Sequence, residues 1–400
     1  MKLLLISSVI PADTISGNVI LFRHFQRLKG MEVAVVSDAA GSTLPHQVVH
    51  HRFHLKLLKR LANTRIRRLS LACQELFQPG TADQTNRIFQ MVRPDLVVTV
   101  AHGDLWKVAV REARRRELPL VTFFHDWWPD IAGLGKSLKP WLDKRFRALH
   151  RSSTVSLCVC EGMRTALGPK PGDEILFPIS APSEPELAGD HSFRKDRFFK
   201  LLYFGNLAEY GAPLGDLLQA TKDHPYVRLE TRGGRPWWPP AFMQEMETRG
   251  LWADFLPRAQ LSGWLQSADA FLIFMTFETA MRRRMETGFP SKLVECAQMG
   301  KPLVIWGPEY CSAVRWAQQR NNALCITDPS PLALIRAVEA LPKSEISRLS
   351  AKAHEAAANE FNPELIQRQF VTSIHKAIEQ KHRVKSVIVP VSPAACDAEL

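Results

Sequence analysis

The stretch Thr287-Gly288-Phe289-Pro290-Ser291-Lys292-Leu293-Val294-Glu295 sets a base and an acid three positions apart, and Cys296-Ala297-Gln298-Met299-Gly300 follows it. Proline suits the first turn of a helix and glycine its end, so the spacing predicts a helix from near Pro290 to Gly300. On that helix Leu293, Cys296 and Ala297 face a core. Lys292 and Glu295 share another side, close enough to serve one ligand. The first N–H groups, the dipole and the Lys292 charge suit a phosphate or diphosphate, and Glu295 could accept from sugar hydroxyls. An ordinary helix with an exposed Lys–Glu pair is the other reading of the same residues, and both stay open on spacing alone.

A second group sits where apolar runs end. His125-Asp126-Trp127-Trp128 follows Leu120 to Phe124, at what would be the carboxyl edge of a sheet, where α/β domains bind ligands. His125 is a candidate for acid–base work, and Asp126 could act as a base or orient it. Trp127 and Trp128 could stack on a ligand or pack in a core. His102-Gly103-Asp104 ends the run Leu96 to Val100 and could line the same cleft. Gly17-Asn18, at the start of a helix, is either a close approach to phosphate or only a tight turn. Arg232 beside Gly233-Gly234, Trp237-Trp238, and Arg282-Arg283-Arg284 complete the candidates.

The elements that must position these residues alternate. Strands are expected at Lys2 to Val9, Glu32 to Ser37, Leu96 to Val100 and Leu120 to Phe124, with a helix from about Val19 to Lys29. Ile175 to about Asp190 has linker composition. The alternation then resumes at Phe199 to Phe204, Val227 to Glu230, Ala270 to Met275 and Pro302 to Trp306. Unbroken β-branched runs separated by helices indicate parallel sheets covered on both faces. The expected architecture is α/β, two doubly wound Rossmann-like domains facing each other across a cleft. Domain boundaries are set at 1–185 and 195–362, a helix over 363–382 crosses back to the first domain, and 383–400 is a loosely held tail.

Of 400 residues, 46% are hydrophobic and 23% charged, which excludes wholesale disorder. Lysine plus arginine exceeds aspartate plus glutamate by 52 − 40 = +12, which favours an anionic partner. Residues 52–68 concentrate this excess: Arg52, Lys56, Lys59, Arg60, Arg65, Arg67 and Arg68 interleave with leucines and no acid. Such a segment could lie on an anionic membrane surface or be a solvated helix. No nucleic-acid-binding signature accompanies the charge, so nucleic acid is not expected. The seven cysteines lack zinc-ligand spacing, no Asp-x-Asp pair occurs, and no metal is expected. Leu3-Leu4-Leu5-Ile6 is too short for a signal peptide and reads as the first strand, and a cytoplasmic setting follows from the cysteine usage.

The Phe289-Pro290-Ser291-Lys292-Leu293…Glu295 segment resembles the donor-binding helix of GT-B fold glycosyltransferases. Ser7-Ser8 to Gly17-Asn18, Arg93 to Val98 and Leu118 to Asp126 resemble the acceptor domain of glycosyltransferase family 4. Tyr203-Phe204-Gly205-Asn206-Leu207 and Leu261 to Ala270 are similar to parts of its donor domain. The resemblance runs over about residues 1–380. It implies transfer of a sugar from a nucleotide-sugar donor to a polysaccharide, lipid-linked or other glycan acceptor. It also implies a retaining, metal-independent reaction without cofactor, in the cytoplasm or peripherally on the cytosolic face of an inner membrane.

The resemblance also assigns roles. Phe289, Ser291, Lys292, Leu293 and Glu295, with Gly205-Asn206 and Gly17-Asn18, would hold the donor. Arg258 would lie at the base, Arg232 would add charge, and His125 would stand near the transferred sugar. Two departures stand out. The family pairs its glutamate with another eight positions earlier, where this chain has Thr287; Glu286 next to it, or Glu278, would have to substitute. The first donor-domain loop, Gly205 to Gly211, lacks the usual arginine and lysine. A sugar-nucleotide epimerase and a non-catalytic binding or scaffolding protein of the same architecture are the competing classes.

Overall fold

The protein is represented by a computed structural model, which describes residues 1–13, 16–38, 41–42, 44, 50–52, 64–65, 70, 73, 82–181, 198–207, 210–256 and 258–387. Most of the basic segment 52–68, most of the linker and the tail beyond 387 lie outside these residues.

Two parallel sheets organise the chain. The first runs β3(His50–Arg52), β2(Glu32–Ser37), β1(Lys2–Ile6), β4(Leu96–Val100), β5(Leu120–Phe124), β6(Val155–Cys158) and β7(Asp173–Ile175). The second runs β10(Trp252–Ala253), β9(Val227–Gly233), β8(Phe199–Gly205), β11(Ala270–Phe274), β12(Leu303–Trp306) and β13(Leu324–Ile326). Both count outward in the same order from their first strand, so each has a topological switch beside it: between β1 and β4, and between β8 and β11. Strands β4, β5, β11 and β12 are buried along their whole length. That is why their sequences are continuous apolar runs with no period-two alternation.

Element ends depart from the sequence expectation for identifiable reasons. The first helix spans Ser16–Phe25 and takes in Gly17 and Asn18, because the turn is closed upstream, where the Ala12 N–H donates to the Asn18 carbonyl at 3.3 Å. The helix after Pro290 stops at Ala297; Gly300 then adopts φ +62, where a β-carbon would stand 2.0 Å from the His354 ring. The last helix runs from Pro363 to Val387, since no proline or glycine interrupts it before Pro390.

That last helix packs Ile366, Phe370, Ile374 and Ala377 against Leu5, Leu21, Phe25 and Val98 of the first domain. Gln367 reaches back to buried His24, whose Nδ1 lies 2.9 Å from its Oε1. Burial, with a smaller push from Arg27, lowers the His24 imidazole to about 4 despite that bond. The domains also meet directly. Phe289 packs on Phe177 of the first domain at 4.9 Å, the Cys160 thiol donates to the Thr287 carbonyl at 3.2 Å, and a β-carbon on Gly162 would collide with the Glu286 carbonyl.

Candidate functional site

Strand β5 is buried on both faces, so His125 and Asp126 are the first side chains to clear the sheet. His125 Nε2 lies 3.7 Å from Asp126 Oδ2, too far for a hydrogen bond and an ion pair only when the imidazole is protonated. Neighbouring β4 brings His102 alongside: its ring is 6.1 Å from that of His125 and packs on Trp128 at 4.3 Å. Burial, then repulsion from His125, pushes the His102 imidazole down to about 4, with Asp126 opposing. His102, His125 and Asp126 each place a ligand-capable atom within 4.8 Å of the others. Two imidazoles and a carboxylate are a donor set that suits zinc-like metals. The sequence put His102 and His125 at two strand ends that could share a cleft; pairing of β4 with β5 brings their rings to within a few ångströms.

The switch beside this site is locked. Gly103 has φ +70, and a β-carbon there would stand 2.4 Å from that of Ser8. The Ser8 hydroxyl in turn accepts from the Asp104 and Leu105 N–H groups at 3.1 and 3.3 Å. Gly17 faces His125, since a β-carbon on it would lie 3.8 Å from Nε2. Asn18, next on the helix, has the carbonyl contact to Ala12.

In the second domain β8 ends at Gly205 with φ +148, and its carbonyl occupies the space a Gly233 side chain would take. Lys292 lies against Gly205, with its Nζ 4.5 Å from the centre of the Phe204 ring and 2.7 Å from Glu295 Oε2. The other oxygen, Glu295 Oε1, accepts from Arg23 Nη1 at 3.1 Å, and the same nitrogen donates to the Ile179 carbonyl at 2.9 Å. Burial alone would raise the Glu295 carboxyl; Lys292 and Arg23 together outweigh it and hold the group below its ordinary value. The acid is therefore ionised and doubly paired. Arg23 lies on the same helix as Gly17, six residues further along, or about 9 Å of rise. One helix thus carries both Gly17, facing His125, and Arg23, bonded to Glu295.

Other sequence candidates fall elsewhere. Phe289 is 8% exposed, within an aromatic cluster with Phe177, Trp316 and Phe361, and Leu293 is fully buried. Both side chains are turned into the core, so any contact of these two residues with a donor would run through their backbone. Ser291 opens the helix, but with seven residues it has a weak dipole, so the charge comes from side chains. The Asn206 carbonyl accepts from the Tyr203 hydroxyl at 3.1 Å.

Glu286 pairs with Arg282 at 2.8 Å, and Arg282 covers the Tyr310 ring. Arg283 pairs with Asp143 at 3.2 Å and stacks on buried Trp127. Arg232 stacks on Trp264 and donates to the Asp254 carbonyl at 3.4 Å. Arg258 begins the helix Arg258–Gln266. Trp238 is buried against the Gly211 carbonyl, while Trp237 is exposed. Sequence reasoning missed Arg23. Its one signal was polarity: in Ser16–Phe25, Arg23 and His24 follow the apolar run Val19 to Phe22.

Two parallel Rossmann-like domains of equal strand order, packed on one another, make this a GT-B fold. Within it, residues 19–171 match the family described as Glycosyltransferase Family 4, and the chain as a whole resembles glycosyltransferases of that fold. Similar solved structures include Anabaena HepE in complex with UDP and glucose, 14% identical, TM-score 0.62, covering 94% of this chain and 99% of that one. WaaG, a glycosyltransferase involved in lipopolysaccharide biosynthesis, is 13% identical, TM-score 0.58, with 92% and 98% covered. Sucrose-phosphate synthase from Thermosynechococcus elongatus is 11% identical, TM-score 0.63, with 95% and 99% covered. At such identities the likeness is one of fold. No curated protein matches the chain in sequence.

Proposed function

We propose that the protein is a glycosyltransferase that moves a sugar from a nucleoside-diphosphate donor to a glycan or lipid-linked acceptor held between the domains. The observation that carries this reading is the Lys292–Glu295–Arg23 cluster beside Gly205, joined to His125 by one short helix. Lys292 and the amides near Gly205 receive the diphosphate, and Glu295 accepts from the ribose hydroxyls. As the bond from the sugar to the phosphate oxygen breaks, the electron pair leaves on the diphosphate, and positive charge fixed in advance lowers the barrier. The acceptor oxygen bonds to the sugar carbon. It does so on the face the diphosphate leaves, and its proton passes to the departing phosphate, while His125 holds a sugar hydroxyl with Asp126 beside it. The reaction in this reading needs no metal and retains anomeric configuration.

UDP and UDP-glucose, bound in HepE, support a nucleotide-sugar donor, and the lipopolysaccharide role of WaaG supports a cell-envelope acceptor. Among the described residues no helix is long and apolar enough to cross a membrane. Residues 52–68 are proposed to hold the protein on an anionic cytosolic membrane face. Binding to anionic vesicles should weaken as salt rises, and failure to bind at low salt would remove that part.

Incubation with a panel of UDP-, ADP- and GDP-sugars tests the main reading, with release of the nucleoside diphosphate as the expected result. Sugar interconversion without acceptor would replace it with an epimerase. One observation favours a binding or scaffolding role: the Glu286 carboxylate is engaged by Arg282. Tight donor binding with no turnover would establish that reading instead.

A further inference from the structure

The donor-domain loop after β8 carries no base between Gly205 and Gly211. A diphosphate there would meet Lys292 with no second cation from its own domain. The obvious replacements are engaged elsewhere: Arg282 by Glu286 and Tyr310, Arg283 by Asp143 and Trp127, Arg232 by Trp264 and Asp254. The cation that does reach Lys292 and Glu295 comes from the first domain. Arg23 is held there at both ends of one nitrogen, Nη1, by Glu295 and the Ile179 carbonyl, and its side chain is only 13% exposed. Its Nε and Nη2 donors have no protein partner among the described residues. A guanidinium anchored through one nitrogen presents its remaining edge in a fixed plane, the geometry that takes two phosphate oxygens at once.

We infer that Arg23 is the second diphosphate-binding cation of the site, supplied across the domain boundary. This rests on the donor reading above and extends it. With Glu295 counted, the side chains carry a net single positive charge; the carboxylate keeps both cations in place before the donor arrives. When the ribose hydroxyls donate to Glu295, the carboxylate is partly satisfied by them, and the Nε–Nη2 edge of Arg23, still anchored at Ile179, takes the diphosphate. Donor occupancy is then tied to contact between the domains, because the phosphate is gripped from both.

The test uses the full-length protein with UDP, ADP and GDP and, at millimolar concentration, the matching nucleosides. Arg23→Ala should weaken the nucleoside diphosphate that the wild type binds by about tenfold, while the nucleoside binds within about twofold of wild type. Arg23→Lys should recover only part of the loss, as a point charge replaces a planar fork. Unchanged diphosphate affinity in Arg23→Ala overturns the inference. So does an equal loss for diphosphate and nucleoside, which would make Arg23 a support for Glu295 alone. If the wild type binds no nucleoside diphosphate, the donor reading itself fails, an outcome distinct from either of these.

Discussion

The two halves of the site are built on opposite electrostatic plans. Around Glu295 the charges are paired: Lys292 and Arg23 flank one ionised carboxylate, on a helix whose Leu293 is buried in the core. His125 itself has only a long pair: Asp126 stands off at 3.7 Å, and His102 is kept neutral by burial and by its neighbour. In the proposed reading, the half that accepts a diphosphate gains from fixed, compensated charge, because reorganising it during reaction would be costly. A site that handles hydroxyls gains from neutral donors and acceptors that are free to take new partners.

The aromatic cluster at the start of the Lys292 helix offers the largest expected effect. Phe289→Ala should cost about 3–5 kcal/mol of stability, seen in denaturant unfolding, because it opens a cavity among Phe177, Trp316 and Phe361. A small change would mean the ring is not the support described. Lys292→Ala and Glu295→Ala should each lower turnover by about 10²–10³-fold, roughly 3–4 kcal/mol, with circular dichroism unchanged. Normal activity in both would take this helix out of the mechanism.

Acidification probes the neutral histidines. The His24 imidazole titrates near 4 in the folded chain and near 6.5 unfolded, so between those values the unfolded state binds the extra proton. Stability should therefore fall as pH drops from about 6.5 to about 4, by up to roughly 3 kcal/mol from this residue. His102 adds an effect of the same sign. A thermal midpoint flat across that window would contradict both. His125→Ala should lower kcat by about tenfold with little change in donor KM; a loss confined to donor KM would erase the distinction between the halves. Asp126→Asn should have the smallest effect, about threefold if the carboxylate acts on His125 only through its charge, and a much larger loss would make it the base.

Legibility followed distance along the chain. Runs such as Leu96 to Val100 announced buried parallel strands, and Lys292 and Glu295 were recognisable as a pair because three residues bring them to one helix face. Phe289 and Leu293 were assigned to the ligand by likeness, although the apolar pattern already pointed Leu293 at the core. The partners of Arg282 and Arg283 were illegible for a different reason: nothing in the run of arginines tells which acid or ring each will meet after packing.

What the amino-acid sequence determined alone was the two-domain α/β architecture and the local Lys–Glu pair, since hydrophobic period and helix geometry act over a few residues. Only the tertiary structure decided that Arg23 meets Glu295 across 272 positions and that His102 stands beside His125. Those meetings depend on strand order and on how the domains pack, and sequence periodicity records neither.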